Sequence, residues 1–211
     1  MDNLQVVVTR YKDNIDWLTD NYTNYKIYQK VDTLSTPYTK DDITYYVPNF
    51  GKDAYSHLYH IVEHYDNLAD YTLFTQANPF EHDKDFNVDK FRNKNFYGVC
   101  ERYGNWCGSI HTPFHGWDRI IHHDKWLLEI NNGTLTPAKT TFGEYWDTYI
   151  QKPKPNPETM VWYHGIIFSA SRDNIRQNSK QYYKNLLSTV DGCKNNEEIH
   201  YFERCTHYIF N

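Results

Sequence analysis

The residues best equipped for chemistry fall into three short groups. The first is Thr9-Arg10-Tyr11, which sets a hydroxyl, a guanidinium and an aromatic ring side by side. The planar fork of an arginine matches phosphate oxygens, and a tyrosine ring offers a flat face to a base or a sugar. The second is Gly51-Lys52-Asp53, where a helix is predicted to begin. Unpaired backbone N–H groups and the helix dipole favour an anion there; Lys52 adds charge, while Asp53 can act as a simple cap. The third is Gln76-Ala77-Asn78, followed by His82, Asp83 and Asp85. Asp83-Lys84-Asp85 is the literal D-x-D of the chain, and hard carboxylate oxygens suit Mg2+ or Mn2+. The same alternation of acid and lysine is common in solvated loops.

The histidines point to less. His57, His60 and His64 lie within about 60° of one another on a predicted helix. They flank its apolar stripe, so they are expected as half-exposed boundary residues rather than as ligands of a transition metal. His111 and His115 have zincin spacing, but Pro113 and Gly116 disfavour the necessary helix and no Glu follows His111. No P-loop and no G-x-G-x-x-G occurs. The cysteines, Cys100, Cys107, Cys193 and Cys205, form no C-x-x-C pair.

Local patterns supply the elements that must position these groups. Leu4–Val8 is an apolar, β-branched run that reads as a strand buried on both faces. Asn14–Thr23 reads as a short helix, Tyr25–Val31 as a strand, and Tyr46–Pro48 leads to the Asn49-Phe50-Gly51 turn. A helix from about Asp53 to Tyr65 carries Ala54, Leu58, Ile61 and Val62 on one stripe. Tyr71–Gln76 is a strand that must end before Pro79. Phe80 to Lys139 reads as short helices and long loops, of the kind that build binding surfaces. Phe142–Tyr149 is a short helix, Lys152–Pro157 a proline-rich break and Val161–Ser169 a fourth strand. Asp173 is expected to cap a helix reaching about Thr189, and Glu197–Ile209 closes the chain as an amphipathic helix. Strands and helices alternating in this way predict an α/β domain whose ligands bind beyond the carboxyl ends of its strands.

Composition agrees with one globular domain spanning residues 1–211. Aromatic residues make up 18% of the chain, 20 of them Tyr, which suits contact with sugar rings or a core filled with tyrosine. The net charge of −5 comes without a basic stripe, which argues against a nucleic-acid polymer as partner. No segment approaches the ~20 apolar residues of a membrane span, and the N-terminus does not look like a signal peptide. The expectation is a cytoplasmic protein with reduced thiols and unused sequons at Asn21 and Asn132.

Three pieces together resemble a known family. They are Val7-Val8-Thr9-Arg10-Tyr11 with Trp17 behind it; Gly51-Lys52-Asp53-Ala54-Tyr55, leading through His60-Ile61 and Tyr65-Asp66 to Phe74-Thr75-Gln76-Ala77-Asn78-Pro79; and His200-Tyr201-Phe202-Glu203-Arg204 before Ile209-Phe210. The set resembles glycosyltransferase-like proteins of fungi, bacteria and large DNA viruses, among them N-terminal domains of multidomain chlorella-virus enzymes tied to glycosylation of the major capsid protein. The resemblance implies a GT-A-like fold, a mixed central β-sheet flanked by helices, as a monomeric domain at the start of a longer protein working in the host cytoplasm. It implies transfer of a hexose or deoxyhexose from a UDP-sugar donor to a glycan or glycoprotein acceptor. Thr9, Arg10, Tyr11, Lys52, Gln76, Ala77 and Asn78 would line the nucleotide. A Mn2+ or Mg2+ ion bridging the donor diphosphate would be held by Asn78, His82, Asp83 and Asp85, because amides stand at 76 and 78 where GT-A enzymes keep their D-x-D. Gly165–Ser169 would line the acceptor side. Glu198, Glu197, Asp173 and Asp118, in that order, are the candidates for the general base of an inverting reaction. The amides also fit a second reading, a binding module without catalysis.

Overall fold

The computed structural model describes residues 3–103, 117–118 and 124–211, with the backbone alone for 124–126. In chain order the elements are β1 (Leu4–Arg10), α1 (Asp16–Thr19), β2 (Tyr25–Val31), β3 (Tyr38–Thr39), β4 (Thr44–Pro48), α2 (Lys52–His64), β5 (Tyr71–Gln76), β6 (Phe96–Gly98), β7 (Glu101–Tyr103), α3 (Asp124–Asn131), α4 (Phe142–Tyr145), β8 (Val161–Tyr163), β9 (Phe168–Ser171), α5 (Arg172–Arg176), α6 (Lys180–Val190) and α7 (Glu197–Phe210). Seven strands form one mixed sheet in the order β3-β4-β2-β1-β5-β9-β6, and β7 pairs with β8 apart from it.

β1 lies at the centre of the sheet because its sequence has no polar face to give to water. Val7 packs with Tyr28, Phe74 and Phe168 against α2, α6 and α7. Val6 and Val8 point the other way, joining Leu18, Leu73, Phe86, Val88 and Phe91. β1 pairs in parallel with β2 on one side and β5 on the other, and β4 extends the parallel set beyond β2. β9 runs antiparallel to β5, so its end at Ser171 lies beside Tyr71, at the edge where the parallel strands begin.

Several predicted elements change in detail. The expected strand Val161–Ser169 is two strands, broken by a turn in which Gly165 and Ile166 take φ of +86° and +54°. No strand continues through two such residues. The predicted cap Asp173 sits in the first turn of α5, while Ser171 accepts the Asn174 N–H at 3.2 Å and Ser179 accepts the Tyr182 N–H at 3.2 Å. Each serine starts its own helix, so one expected helix is two. The Phe142–Tyr149 helix is α4 followed by a π-turn, Trp146–Ile150. No helix among the described residues is long and apolar enough to cross a membrane.

The largest departure concerns the histidines of α2. His57 and His60 are fully buried, not boundary residues. α2 turns that side onto the sheet, where His57 lies 5.2 Å from the Phe74 ring and His60 Nδ1 sits 2.8 Å from the Tyr28 hydroxyl. Burial holds the His57 imidazole down at about 3 and His60 well below its usual range. Both folded values lie under the unfolded value of about 6.5. Their stabilising contribution is therefore complete above pH ~6.5 and is lost as pH falls towards ~3. Urea midpoints should decline steadily across that window, and His57→Phe should flatten the decline.

Candidate functional site

Leaving β1, the chain moves outward to β2 and β4, then returns to β5 on the opposite side of β1. Neighbouring crossovers diverge there and leave a crevice at the carboxyl ends, the usual place for a ligand in an open α/β sheet. Thr9 and Gln76 stand opposite each other at the crevice. Thr9 is buried, and its hydroxyl has no hydrogen-bond partner among the described residues. Arg10 donates through Nε to the Asp13 carbonyl at 2.8 Å. Gln76 Nε2 donates to the Asn78 carbonyl at 2.6 Å, and the Ala77 carbonyl accepts from the Trp17 indole at 2.8 Å.

Tyr11 closes the other side of the crevice. Its hydroxyl donates to Asp32, at the exit of β2, and the same carboxylate accepts from Asn49 at 2.8 Å and Lys194 at 3.0 Å. The Tyr11 bond first, then those from Asn49 and Lys194, hold Asp32 well below the usual carboxylate range. Lys12 and Lys194 place their ammonium groups 4.8 and 5.7 Å from the Tyr11 ring centre.

The start of α2 stands next along this edge. Gly51 has φ +57°, and a Cβ on it would lie 2.5 Å from the Val190 carbonyl, so only glycine fits. Lys52 is also left-handed, at φ +44°, which costs a non-glycine residue about 1–3 kcal/mol. Lys30 is buried beneath, donating through Nζ to the Phe50 carbonyl at 2.5 Å. Burial lowers the Lys30 pKa and raises that of Asp53, an effect that Lys30 and Lys52 partly offset. Lys52 itself is exposed.

Beyond Lys52 lies a cluster whose roles the sequence left unassigned. Glu203 of α7 is buried and accepts the Gly165 N–H at 2.7 Å. Arg204 Nη1 lies 3.6 Å and His200 Nδ1 3.8 Å from the Glu203 carboxylate. Arg204 is 2% exposed and sits 4.4 Å over the Trp162 ring. Burial alone would raise Glu203; the neighbouring His200 imidazole and the charges of Arg204 and His164 outweigh it and hold the carboxyl at about 2. His82 and His164 pack edge to face at 4.8 Å, and a Cβ on Gly165 would meet the His82 ring at 2.7 Å. The Lys52 charge acts at a distance to lower the His200 pKa, which burial lowers first.

The remaining predicted residues are dispersed. Asp83 is paired with Lys90 at 3.4 Å and accepts the Asp85 N–H at 3.1 Å, so the D-x-D forms a self-contained turn. Asn78 donates to Glu81 at 3.1 Å. Among the described residues no three His, Cys, Asp or Glu side chains converge to hold a metal ion. Glu197 is buried, accepting from the Ala138 N–H at 2.8 Å and the Tyr201 hydroxyl at 2.9 Å, which makes it a brace for the preceding loop. Glu198 accepts from Asn196 at 2.8 Å and from the Lys139 backbone. By helical period it faces about 160° away from His200. Asp173 is exposed at the edge where the parallel strands begin, opposite the crevice. Asp118 is exposed beside α4, its carbonyl accepting from the Phe142 N–H at 3.3 Å. His111 and His115 lie outside the described residues. An open depression of about 500 Å³ between Leu4, Tyr22 and Arg92 lies at the amino ends of the strands, far from this chemistry.

A seven-stranded mixed sheet flanked by helices defines a single α/β domain, with Arg10, Tyr11 and Lys52 on the carboxyl side of its parallel strands. The chain belongs to the family described as "Protein of unknown function (DUF3431)", whose model matches residues 5–211. Comparison with curated proteins and with solved structures returns no significant match.

Proposed function

We propose that the protein is a GT-A-type glycosyltransferase that takes a UDP-linked hexose or deoxyhexose at the carboxyl edge and transfers the sugar to a glycan or glycoprotein acceptor. The observation that carries this reading is the start of α2 at Gly51-Lys52 on the same carboxyl side of the sheet as the Thr9–Tyr11 exit of β1. A nucleoside would lie against Tyr11 and Asp32, with the diphosphate toward Lys52 and the first N–H groups of α2. The unpartnered Thr9 hydroxyl supports the reading, since a ligand atom can satisfy it.

The Mn2+ or Mg2+ ion that usually accompanies such donors finds no matching donor set among the described residues. Amides replace carboxylates at Gln76 and Asn78, and Asp83 is already neutralised by Lys90. Lys52, with the α2 N-terminus, would supply charge to stabilise a departing UDP. The amides equally favour a binding module without catalysis, and turnover separates the two. Incubation with UDP-glucose or UDP-galactose in EDTA should release UDP slowly, with water as acceptor. Tight binding with no release over a day would leave the binding module.

A further inference from the structure

Along β2, β1 and β5 the sheet face covered by α2 changes character at its carboxyl end. Further back it is apolar: Tyr28, Val7 and Phe74 are fully buried in the core that α2 completes. Side chains on a strand alternate between faces, so Lys30, Thr9 and Gln76, two residues further along each strand, lie on that same face. Thr9 pairs with Tyr28 on one side and with Gln76 on the other, which sets the three in one polar row. Lys30 is 4% and Thr9 6% exposed, so they lie beneath the surface and not on a solvated rim. We infer that Lys30 is the buried counter-charge of an anion site at the start of α2: it holds the turn that presents Gly51 and Lys52, and a diphosphate bound there becomes the partner of its charge. The inference rests on the UDP-sugar reading above.

Three observations carry it. Lys30 Nζ donates to the Phe50 carbonyl at 2.5 Å and stands 4.8 Å from the centre of the Tyr55 ring. It therefore touches the chain on both sides of Gly51 and Lys52, the two residues with left-handed φ. The turn is also tied from behind, where the Gly51 N–H donates to the Cys193 carbonyl at 2.8 Å. Next, an ammonium group has three donors, and the Phe50 carbonyl is the one hydrogen-bond acceptor of Lys30 Nζ among the described residues. A cation this deep with donors to spare is costly to bury and gains from an anion beside it. Finally, the Thr9 hydroxyl on the neighbouring strand has no partner among the described residues either. Phosphate oxygens accept from hydroxyl and ammonium donors alike.

The groups around Lys30 set how its charge responds. Burial lowers its pKa to about 7, and Asp53 of α2 acts to raise it. Burial raises Asp53 to about 6; Lys30 and Lys52 act to lower it and Asp13 to raise it. Burial holds Tyr55 above its ordinary range and His57 at about 3, so both are neutral near pH 7. Thr9, Gln76 and the Phe50 carbonyl carry no charge. A diphosphate beside the amine favours the ammonium form. Bound ligand therefore raises the Lys30 midpoint and, by linkage, rising pH weakens binding.

The test follows the Lys30 side chain by 13Cε NMR across pH, free and saturated with UDP-glucose, whose diphosphate does not titrate near neutral pH. The free midpoint should lie at about 7. UDP-glucose should raise it by about one unit, equivalent to a roughly tenfold fall in affinity as pH climbs through that range. Lys30→Met keeps the apolar stem and removes the charge, and calorimetry at pH ~6.5 should show UDP-glucose bound about tenfold more weakly. A lysine that only braced Phe50 would weaken binding when removed, yet would keep its midpoint when the ligand arrived. An unchanged midpoint at saturation would overturn the inference while leaving the UDP-sugar reading intact, and so would a Lys30→Met protein that binds as wild type does. Should Lys30→Met fail to fold, the midpoints of wild type decide alone. A failure of wild type to bind UDP-glucose would remove the reading on which the inference rests.

Discussion

Glu203→Ala should lower stability by about 3–5 kcal/mol, the range for breaking a buried ion pair from one side. The reason is the environment of Arg204, which is 2% exposed and faces the Trp162 ring and the Glu203 carboxylate. Removing that carboxylate takes a charge partner from a guanidinium whose Nη1 also donates to the His200 carbonyl at 3.1 Å, and it strips the Gly165 N–H of its acceptor. For a chain of this size each kcal/mol moves Tm by about 2–4 °C, so a fall of roughly 6–20 °C is expected. Acid should act in the same sense. The folded carboxyl sits at about 2, below its unfolded value near 4.3. Its contribution is complete above pH ~4.3 and disappears as pH falls through ~2. A drop under 1 °C in Glu203→Ala would show that the pair contributes nothing.

Lys52→Ala should weaken UDP binding by about ten- to a hundredfold with little loss of stability. Hydrogen bonds to charged groups contribute about 1.5–3 kcal/mol, and the exposed side chain packs on nothing whose removal would leave a cavity. The same change should relieve little strain, because alanine at φ +44° is no more comfortable than lysine. Lys52→Gly should therefore be more stable than Lys52→Ala by about 1 kcal/mol, yet bind UDP equally weakly. Calorimetry and a thermal melt on the two variants separate the charge from the backbone.

Much of the scaffold was legible because burial writes itself into residue order. β2 and β5 fall where Tyr25–Val31 and Tyr71–Gln76 are read, since short segments rich in aromatic and β-branched residues and bounded by turn residues leave little choice. The split of Val161–Ser169 was not legible. Apolar runs flank His164-Gly165 on both sides, and the tertiary contact with His82 and Glu203 fixes the left-handed turn. Serines 171 and 179 outcompeted Asp173 as caps because β9 ends at Ser171 and delivers its side chain to the open N–H groups. The burial of His57 and His60 was hidden too, because a polar ring in a helix pattern reads as a boundary unless the facing Tyr28 and Phe74 are known.

The site was legible in part, and for a clear reason. Strand exits and helix starts are local features, so Thr9, Arg10, Tyr11 and Lys52 could be named from their neighbours in sequence. Asp32 obeys the same rule, following directly on a predicted strand. The His200–Glu203–Arg204 cluster depends on packing between α7, the β8–β9 turn and the segment after β5. Its sequence signals were the His200–Arg204 piece of the resemblance, which assigned no role, and the i, i+3 spacing that places His200 and Glu203 on one face of the final helix.

The central claim is that a nucleoside diphosphate binds at the carboxyl edge, and amide NMR during titration with UDP in EDTA tests it most directly. Shifts concentrated at Thr9–Tyr11, Gly51–Asp53 and Gln76–Asn78, saturating at micromolar UDP, are the predicted result. Shifts confined to Leu4, Tyr22 and Arg92 at the other edge, or none at millimolar UDP, would contradict it.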